Sequence, residues 1–447
     1  MVDGVKKYLY LIIYFLSPIP IGVTLYNSDP LRYGTIQGLL PMLLGSFAFT
    51  WLTWQFVISA RPKFIERHFG MDKLYRFHGW MAVTAILAAF VHKLLEYEGT
   101  FATTLGETAL YIFAGIAGIT FLLMVDSIFL KIPLVKWIRK TLKPIKILHR
   151  RNFVLLHNLT ILALILIFVH VMLSSSAQQY VAVRLIYITY FIVGLSFYLI
   201  HRIFFAKPKE KQRYHVSEIT QESPVMWTLK LENEKGHRNN YLPGQFGFFR
   251  FFGKNIPTEE HPFSISSGDI TKNYLTVTIK ELGDFTAQIK NIKKGDRAVF
   301  DGPYGKFSYL NYPQEKESVL VAGGVGITPI LSMLRHMSEF DSDRKVLLLW
   351  GVNTKSDLIC ESEMNEIQKK MKNLEVVPVL SGKDEWNGLT GWVNSELVEA
   401  QIQKKKFNND SAGIYVCGPP PMMDGIVSGL RRKDSKKYRI HFEKFLL

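Results

Sequence analysis

Residues 77–92 read FHGWMAVTAILAAFVH, and residues 157–170 read HNLTILALILIFVH. Each is an apolar run with a histidine close to either end: His78 and His92 in the first, His157 and His170 in the second. Ionisable side chains inside apolar spans are costly and by default mark a functional site. A neutral imidazole is also an effective ligand for haem iron. Spacings of fourteen and thirteen residues separate the members of each pair by about 20 Å along a helix rising roughly 1.5 Å per residue. One member of each pair therefore lies near each face of a bilayer. His78 can meet His157 at one level and His92 can meet His170 at the other, giving two stacked bis-histidine haem sites. These haems are expected to be non-covalent b type, because the chain has no Cys-x-x-Cys-His attachment string. At about 100° per residue, fourteen steps return within roughly 40° of the starting face, whereas thirteen miss it by about 140°. Either the second helix is distorted or tilted, or its two rings reach their levels from different directions.

Outward from these stretches, six segments reach the roughly 20 apolar residues needed to cross a hydrocarbon core. They cover about 8–26, 38–59, 77–95, 107–130, 152–173 and 182–205. Each is expected to span as a helix, which satisfies its own backbone hydrogen bonds in lipid. Basic residues crowd one set of loops: Arg61, Lys63, Arg67, Lys73 and Arg76, then Lys131, Lys136, Arg139, Lys140, Lys143, Lys146, Arg150 and Arg151. The exit segment adds Lys207, Lys209, Lys211 and Arg213. The opposite loops hold only Arg32, Lys93 and Arg184 near the membrane, with Asp29, Glu96, Glu98 and Glu107. The positive-inside rule then makes both termini cytoplasmic in a multi-pass protein of the cell membrane, with the lipid bilayer as its first partner. Lys6 and Lys7 precede the first run and no small-residue cleavage site follows it, so it reads as a retained helix. His149 and His201 read as satisfied groups at span ends.

The formal net charge of +16 does not imply a nucleic-acid partner, because the basic residues cluster beside the apolar runs rather than on one soluble surface. Cys360 and Cys417 are the only cysteines, so neither a disulfide framework nor a cysteine zinc site can be built. Both lie in the half that follows the spans, which fits a reducing compartment.

From about Tyr214 to Asp301, short alternating runs such as LTVTIK and RAVF are separated by Gly, Pro and charged residues. That pattern predicts an antiparallel β-barrel or sandwich. From Ser318 onward, VLVAGG, KVLLLW, LEVVPVL and GIYVCG alternate with helical stretches, which predicts a parallel α/β nucleotide-binding domain. Gly323, Gly324 and Gly326 lie between a buried strand and a helix starting near Thr328 and Pro329. Such a turn lets backbone amides approach a dinucleotide pyrophosphate at a helix N-terminus. The downstream string CGPPPMM makes the signal more specific.

Three strings in the predicted barrel, YLPGQF, HPFSISSG and ELGDFT, resemble the ferredoxin-reductase-like flavoproteins. The HPFS form resembles the ferric reductase and NADPH oxidase branch in particular. The resemblance runs through the six spans, the paired histidines, the glycine turn, the CGP string and the terminal HFEKFLL. It implies that His261, Pro262, Phe263, Ser264, Ile265 and Ser266 lie along FAD, and that Gly283 to Thr286 approach its pyrophosphate. A flat ring needs packing faces and a pyrophosphate needs small residues with exposed amides, so these assignments make chemical sense. It further implies that Cys417 lies near the nicotinamide ring while Gly418 and Pro419 shape the turn, and that Phe445 covers the flavin and moves before hydride transfer. NADPH-specific relatives commonly offer an arginine after the strand matching LLLWGV, where this chain reads Asn353, Thr354 and Lys355. Lys355 supplies one charge but no bidentate fork, and NADPH versus NADH stays open.

The resulting expectation has three parts: a six-span di-haem domain over residues 1–206, an FAD-binding barrel over 207–312 and an NAD(P)H-binding domain over 313–447. Electrons would pass from NAD(P)H through FAD and the two haems to a one-electron acceptor outside. Oxygen giving superoxide is the favoured acceptor, and a ferric or cupric chelate is the alternative. Lys93, Arg184, Gln178 and Gln179 lie near that outer end. A haem or ion transporter carrying a regulatory nucleotide module is the reading from another class. No regulatory subunit is implied.

Overall fold

The computed structural model describes residues 2–96, 99–124, 155–201, 212–238, 240–268, 272–382, 385–408, 410–433 and 438–444, with single positions 133, 137 and 141. Phe445, Glu98, His149 and the basic-loop residues Lys131, Lys136, Arg139, Lys140, Lys143, Lys146, Arg150, Arg151, Lys207, Lys209 and Lys211 lie outside the described residues. The chain forms two units that divide between Lys207 and Pro208.

The first unit is helical: α1 (Val2–Leu16), α2 (Ile19–Ser28), α3 (Pro30–Tyr33), α4 (Ile36–Ser59), α5 (Lys63–Phe69), α6 (Met71–Leu95) and α7 (Phe101–Met124). It continues with α8 (Leu159–Leu173), α9 (Ser175–Gln179) and α10 (Val181–Ile200). Among the described residues, six helical segments are long and apolar enough to cross a membrane. Their outward faces are apolar, with Trp80, Leu94 and Leu185 exposed, as lipid-facing helices require. Inside, small residues bring the helices close, including the fully buried Ala85, Ala109 and Ala163. Gly194 of α10 lies against the backbone of Thr53 on α4, where an added Cβ would sit 3.1 Å from the Thr53 carbonyl oxygen.

The first span differs from the expected single helix, because it is broken at Ser17 and Pro18. Pro18 and Pro20 have no N–H to give the helix ladder. Hydroxyl groups take carbonyls at the break: Ser17 Oγ donates to Tyr14 O at 2.7 Å and Tyr190 Oη donates to Ser17 O at 2.6 Å.

The second unit holds two sheets. The first contains β1 (Arg213–Ser223), β2 (Met226–Asn233), β3 (Phe246–Phe252), β4 (His261–Ser264), β5 (Tyr274–Lys280) and β6 (Arg297–Tyr304), ordered β4-β3-β6-β1-β2-β5 and antiparallel throughout. Its inner face buries Leu229, Leu231, Phe249, Phe251, Ile265 and Val277. The expected barrel is not closed. β4 is only four residues long and contains Pro262, which cannot donate to a further ladder. The two edges meet just beyond β4, where Ile265 bridges Val277 and Ser266 N donates to Thr276 O at 2.8 Å, without forming a strand-long ladder.

The second sheet contains β7 (Glu317–Gly323), β8 (Lys345–Val352), β9 (Leu374–Leu380), β10 (Leu389–Thr390), β11 (Ala412–Cys417) and β12 (Arg439–Phe442). It is parallel, in the order β10-β9-β8-β7-β11-β12. Helices α11 (Ile327–Phe340) and α12 (Glu361–Lys370) cover one face, while α13 (Ser395–Lys404) and α14 (Pro420–Lys433) cover the other. Near-continuous apolar strands such as VLLLW follow from burial on both faces. The chain leaves β7 toward β8 on one side and returns to β11 on the other, so the topological switch point lies between β7 and β11, where α/β sheets bind ligands.

Candidate redox and nucleotide sites

The four membrane histidines come together in the two predicted pairs. The rings of His78 and His157 have centroids 6.3 Å apart with planes at 36°, and those of His92 and His170 are also 6.3 Å apart with planes at 69°. An imidazole nitrogen binds a metal at about 2 Å. With C–N bonds of about 1.33 Å it lies roughly 1.1 Å from its own ring centre. Two imidazoles on opposite sides of one iron are thus separated, centre to centre, by a little over 6 Å, and both pairs fit a bis-histidine haem. Among the described residues no group of three or more His, Cys, Asp or Glu forms a metal site. A porphyrin needs only the axial two, since its own nitrogens fill the plane.

The upper pair lines a cavity of about 500 Å³, together with Arg32, Lys93, Phe101, Gln178 and Tyr187. His92 Nδ1 donates to Pro41 O at 2.9 Å and His170 Nδ1 donates to Ala102 O at 2.7 Å. A carbonyl can only accept, so Nδ1 carries the proton on both rings and Nε2 is left as the free donor atom. Lys93 is held by Glu107 at 3.0 Å and by Tyr111 Oη at 2.7 Å.

The fifth span is broken beside His157, which takes up part of the thirteen-residue mismatch. Residues 155–157 form a turn of helix, Asn158 interrupts it, and α8 follows. Asn158 N bonds Leu155 O and Ile161 N bonds Asn158 O, both three residues back. Such tight turns rotate by about 120° per residue instead of 100°, which adds rotation in the direction the mismatch requires. Thr160 Oγ1 donates to the displaced His157 carbonyl at 2.8 Å.

In the second unit the glycine turn and the CGP string meet. β7 and β11 are neighbours, with Ala322 opposite Cys417, and the turns beyond them pack backbone on backbone. A Cβ at Gly418 would lie 3.0 Å from Gly323 Cα, and one at Gly323 would lie 2.6 Å from Met422 Sδ. A Cβ at Gly326 would overlap the Cys417 carbonyl oxygen. Gly324 has φ +51°, a conformation open to glycine at no steric cost. The turn delivers the chain to the N-terminus of α11, the end of a helix whose dipole favours an anion, although the Ile327 amide is taken up by the Gly324 carbonyl and Pro329 has no N–H to offer. Thr328 is buried and its hydroxyl donates to Val325 O at 2.7 Å, so it closes the turn. The Cys417 thiol is 3% exposed, and burial pushes its pKa up to about 12. Pro419 lies against Gly323.

Lys355 is exposed at the start of a short 3₁₀ turn, Lys355–Asp357, after β8. Burial pushes the Asp357 carboxyl up, but hydrogen bonds from Thr354 and the charge of Lys280 outweigh it and leave it below the usual carboxylate range.

On the flavin-like sheet, His261 stacks on Phe285 at 3.8 Å with planes 22° apart, and its Nε2 lies 3.2 Å from Glu259 Oε2. Phe263 follows on the same strand face, while Pro262 and Ser264 take the other. Ile265 and Ser266 are fully buried; Ser266 Oγ bonds Thr276 Oγ1 at 2.8 Å. At the ELGDFT turn, Thr286 Oγ1 accepts from the amides of Leu282 and Gly283 at 2.8 and 2.9 Å. Those two amides are therefore turned inward, although the space beside Gly283 is open.

A feature without a sequence signal ties the two sheets together. Arg335 of α11 donates to Ser266 O at 2.7 Å and grips Glu363 with two bonds of 2.7 and 2.6 Å. Ser332 Oγ donates to Ser267 O at 2.6 Å. The helix that begins at the glycine turn is thereby bolted to the end of the HPFSIS strand.

These sites define a membrane-spanning oxidoreductase with FAD- and NAD-binding domains. Residues 44–168 match the family model "Ferric reductase like transmembrane component", residues 225–308 match "FAD-binding domain" and residues 320–428 match "Oxidoreductase NAD-binding domain". In that order the three match the architecture of the NADPH oxidase and ferric reductase superfamily. The chain is 29% identical over 235 residues to the 2-halobenzoate 1,2-dioxygenase electron transfer component of Burkholderia cepacia, covering 52% of this chain and 66% of that protein. It is 30% identical to NADH-cytochrome b5 reductase 1 of Dictyostelium discoideum, covering 38% of this chain and 58% of that protein. The chain thus spans less than two thirds of the length of these relatives. The solved ferredoxin reductase in carbazole 1,9a-dioxygenase is 24% identical, covers 52% of this chain and 69% of its own, and has a TM-score of 0.44.

Proposed function

We propose that this protein carries electrons from cytoplasmic NAD(P)H across the membrane, with FAD and two b-type haems as its carriers, to oxygen outside. The observation that carries the proposal is the pair of imidazole pairs, each with centroids 6.3 Å apart, in a chain with FAD- and NAD-binding domains. When bound, FAD would supply the conversion of a two-electron hydride into single electrons, and the haems would supply one-electron carriage. Overall, one NAD(P)H and two oxygen molecules give NAD(P)+, two superoxide ions and one proton.

The chain's own residues supply binding, orientation and exclusion of water. His78 and His157 would hold the inner haem, and His92 and His170 the outer one. The crevice between Gly323, Gly324 and Gly326 on one side and Cys417, Gly418 and Pro419 on the other would seat the dinucleotide. The positive end of α11 would face its phosphates, and Lys355 would lie at its adenosine end. His261, Pro262, Phe263, Ser264, Ile265 and Ser266 would form the strand along FAD, with the turn from Gly283 to Thr286 near its pyrophosphate and Phe445 over its ring. The domain limits 1–206, 207–312 and 313–447 and the cytoplasmic termini belong to the same proposal, the latter supported by the basic loops. A ferric or cupric chelate in place of oxygen is the second reading, and polar residues around the cavity, Arg32 and Gln178 among them, favour it.

The deciding measurement is an anaerobic visible spectrum of the detergent-purified protein with FAD, before and after NADH or NADPH, followed by air. Two reduced haems per chain and prompt reoxidation with superoxide release are expected. Haem reduction without superoxide, but with reduction of ferric chelates, replaces oxygen by the chelate. Absence of haem after haem-replete expression leaves a membrane-tethered flavin reductase and ends the proposal.

A further inference from the structure

The two upper histidines sit in seats of the same construction, on two different helices. On α4, the carbonyl of Pro41 accepts from His92 Nδ1, and four residues later a Cβ at Gly45 would lie 3.1, 3.2 and 3.3 Å from the ring atoms Cε1, Nδ1 and Cγ. On α7, the carbonyl of Ala102 accepts from His170 Nδ1, and four residues later a Cβ at Gly106 would lie 3.0, 3.1 and 3.2 Å from Nδ1, Cγ and Cε1. Positions four apart share a helix face. In both seats the glycine lets the imidazole edge lie against the helix while the carbonyl one turn earlier takes its proton. Each seat and its histidine also come from adjacent packed spans, α4 with α6 and α7 with α8. The lower level is built otherwise: His78 Nδ1 is buried with no hydrogen-bond partner among the described residues.

Helix packing alone would explain a small residue at either place. It would not explain why the same three ring atoms and the same carbonyl offset recur. We infer that Gly45 with the Pro41 carbonyl, and Gly106 with the Ala102 carbonyl, are positioning elements that set the ring plane and donor strength of the two outer haem ligands. The inference rests on the haem reading above. A hydrogen bond to the far nitrogen fixes the tautomer and raises the basicity of a ligating imidazole. A methyl group at either glycine forces the ring away by a few tenths of an ångström and weakens that bond.

The test compares Gly45→Ala and Gly106→Ala with Gly115→Ala, whose Cβ would meet nothing within 4 Å, in the full-length haem-loaded protein. Haem content, redox titration and low-spin electron paramagnetic resonance are read. Each seat variant is expected to lower outer-haem occupancy at least twofold, or to shift that haem's midpoint potential and g-values, with the inner haem and Gly115→Ala unchanged. Because ring planes differ by 69° at one level and 36° at the other, the wild-type protein should show two distinct low-spin signals. The more anisotropic one should belong to the haem lost in His92→Ala, which holds even if a seat variant fails to accumulate. Seat variants that leave both haems unaltered, or two identical wild-type signals, overturn the inference. Wild-type protein without haem overturns the cofactor reading itself.

Discussion

The upper and lower imidazole pairs share a ring separation of 6.3 Å but are held by different means. In the upper pair each Nδ1 donates to a backbone carbonyl and the planes are steeply crossed. In the lower pair, His78 Nδ1 finds no partner among the described residues, and His157 sits on a turn of helix cut off from α8 at Asn158. Backbone carbonyls accept from the upper rings beside glycines that leave room for them, while His157 of the lower pair is carried on a locally tightened turn. Equal ligand spacing can thus be reached through a stiff seat or through a helix defect, and the two should respond differently to substitution.

The largest effect is expected from His78→Ala. NAD(P)H-driven reduction of the remaining haem should fall at least a hundredfold, while dithionite still reduces it; undiminished NAD(P)H reduction would break the assignment of an inner level. His92→Ala should remove about half of the haem absorbance and leave flavin reduction within about twofold of wild type, and full haem content would refute the pairing. Gly326→Ala serves as a contrast from the other unit. Its Cβ would overlap the Cys417 carbonyl, and the nicotinamide KM should rise about tenfold, some 1.4 kcal/mol, with both haem spectra unchanged. An unaltered KM would show that the two turns yield easily. The smallest effect is that of Thr160→Val, which strips the hydroxyl from the His157 carbonyl. A loss of about 0.5–1.5 kcal/mol should appear as a lower unfolding temperature with a shift confined to the inner haem, and a shift in the outer haem would erase the contrast drawn here.

Counting alone was enough to pair the histidines, because helix rise converts residue number into depth with little help from packing. The glycine turn and the CGP string were also legible, and the sheet order explains why: β7 and β11 are adjacent, so separated strings converge on one crevice. The break at Asn158 was not legible, since VLL before it and LTIL after it continue the apolar run and only the hydrogen-bond pattern reveals it. Neither were the seats at Gly45 and Gly106, as a glycine in an apolar helix carries no mark of what lies against it. Strand alternation predicted an antiparallel barrel or sandwich but could not show whether the sheet closes, because closure depends on edge length and on Pro262. Arg335 lies in an ordinary amphipathic helix, and its grip on Ser266 and Glu363 arises only when the two sheets are folded together.

The crevice between the two glycine-rich turns also constrains how this protein can change over generations. Gly323, Gly326 and Gly418 are packed against Met422, the Cys417 carbonyl and one another, so most single substitutions there collide before they can create a new contact. If the crevice seats a dinucleotide as proposed, variation in its preference would have its freest route through exposed positions after β8 such as Lys355. The wall of the crevice tolerates little change for geometric reasons, and its rim is where descendants can diverge.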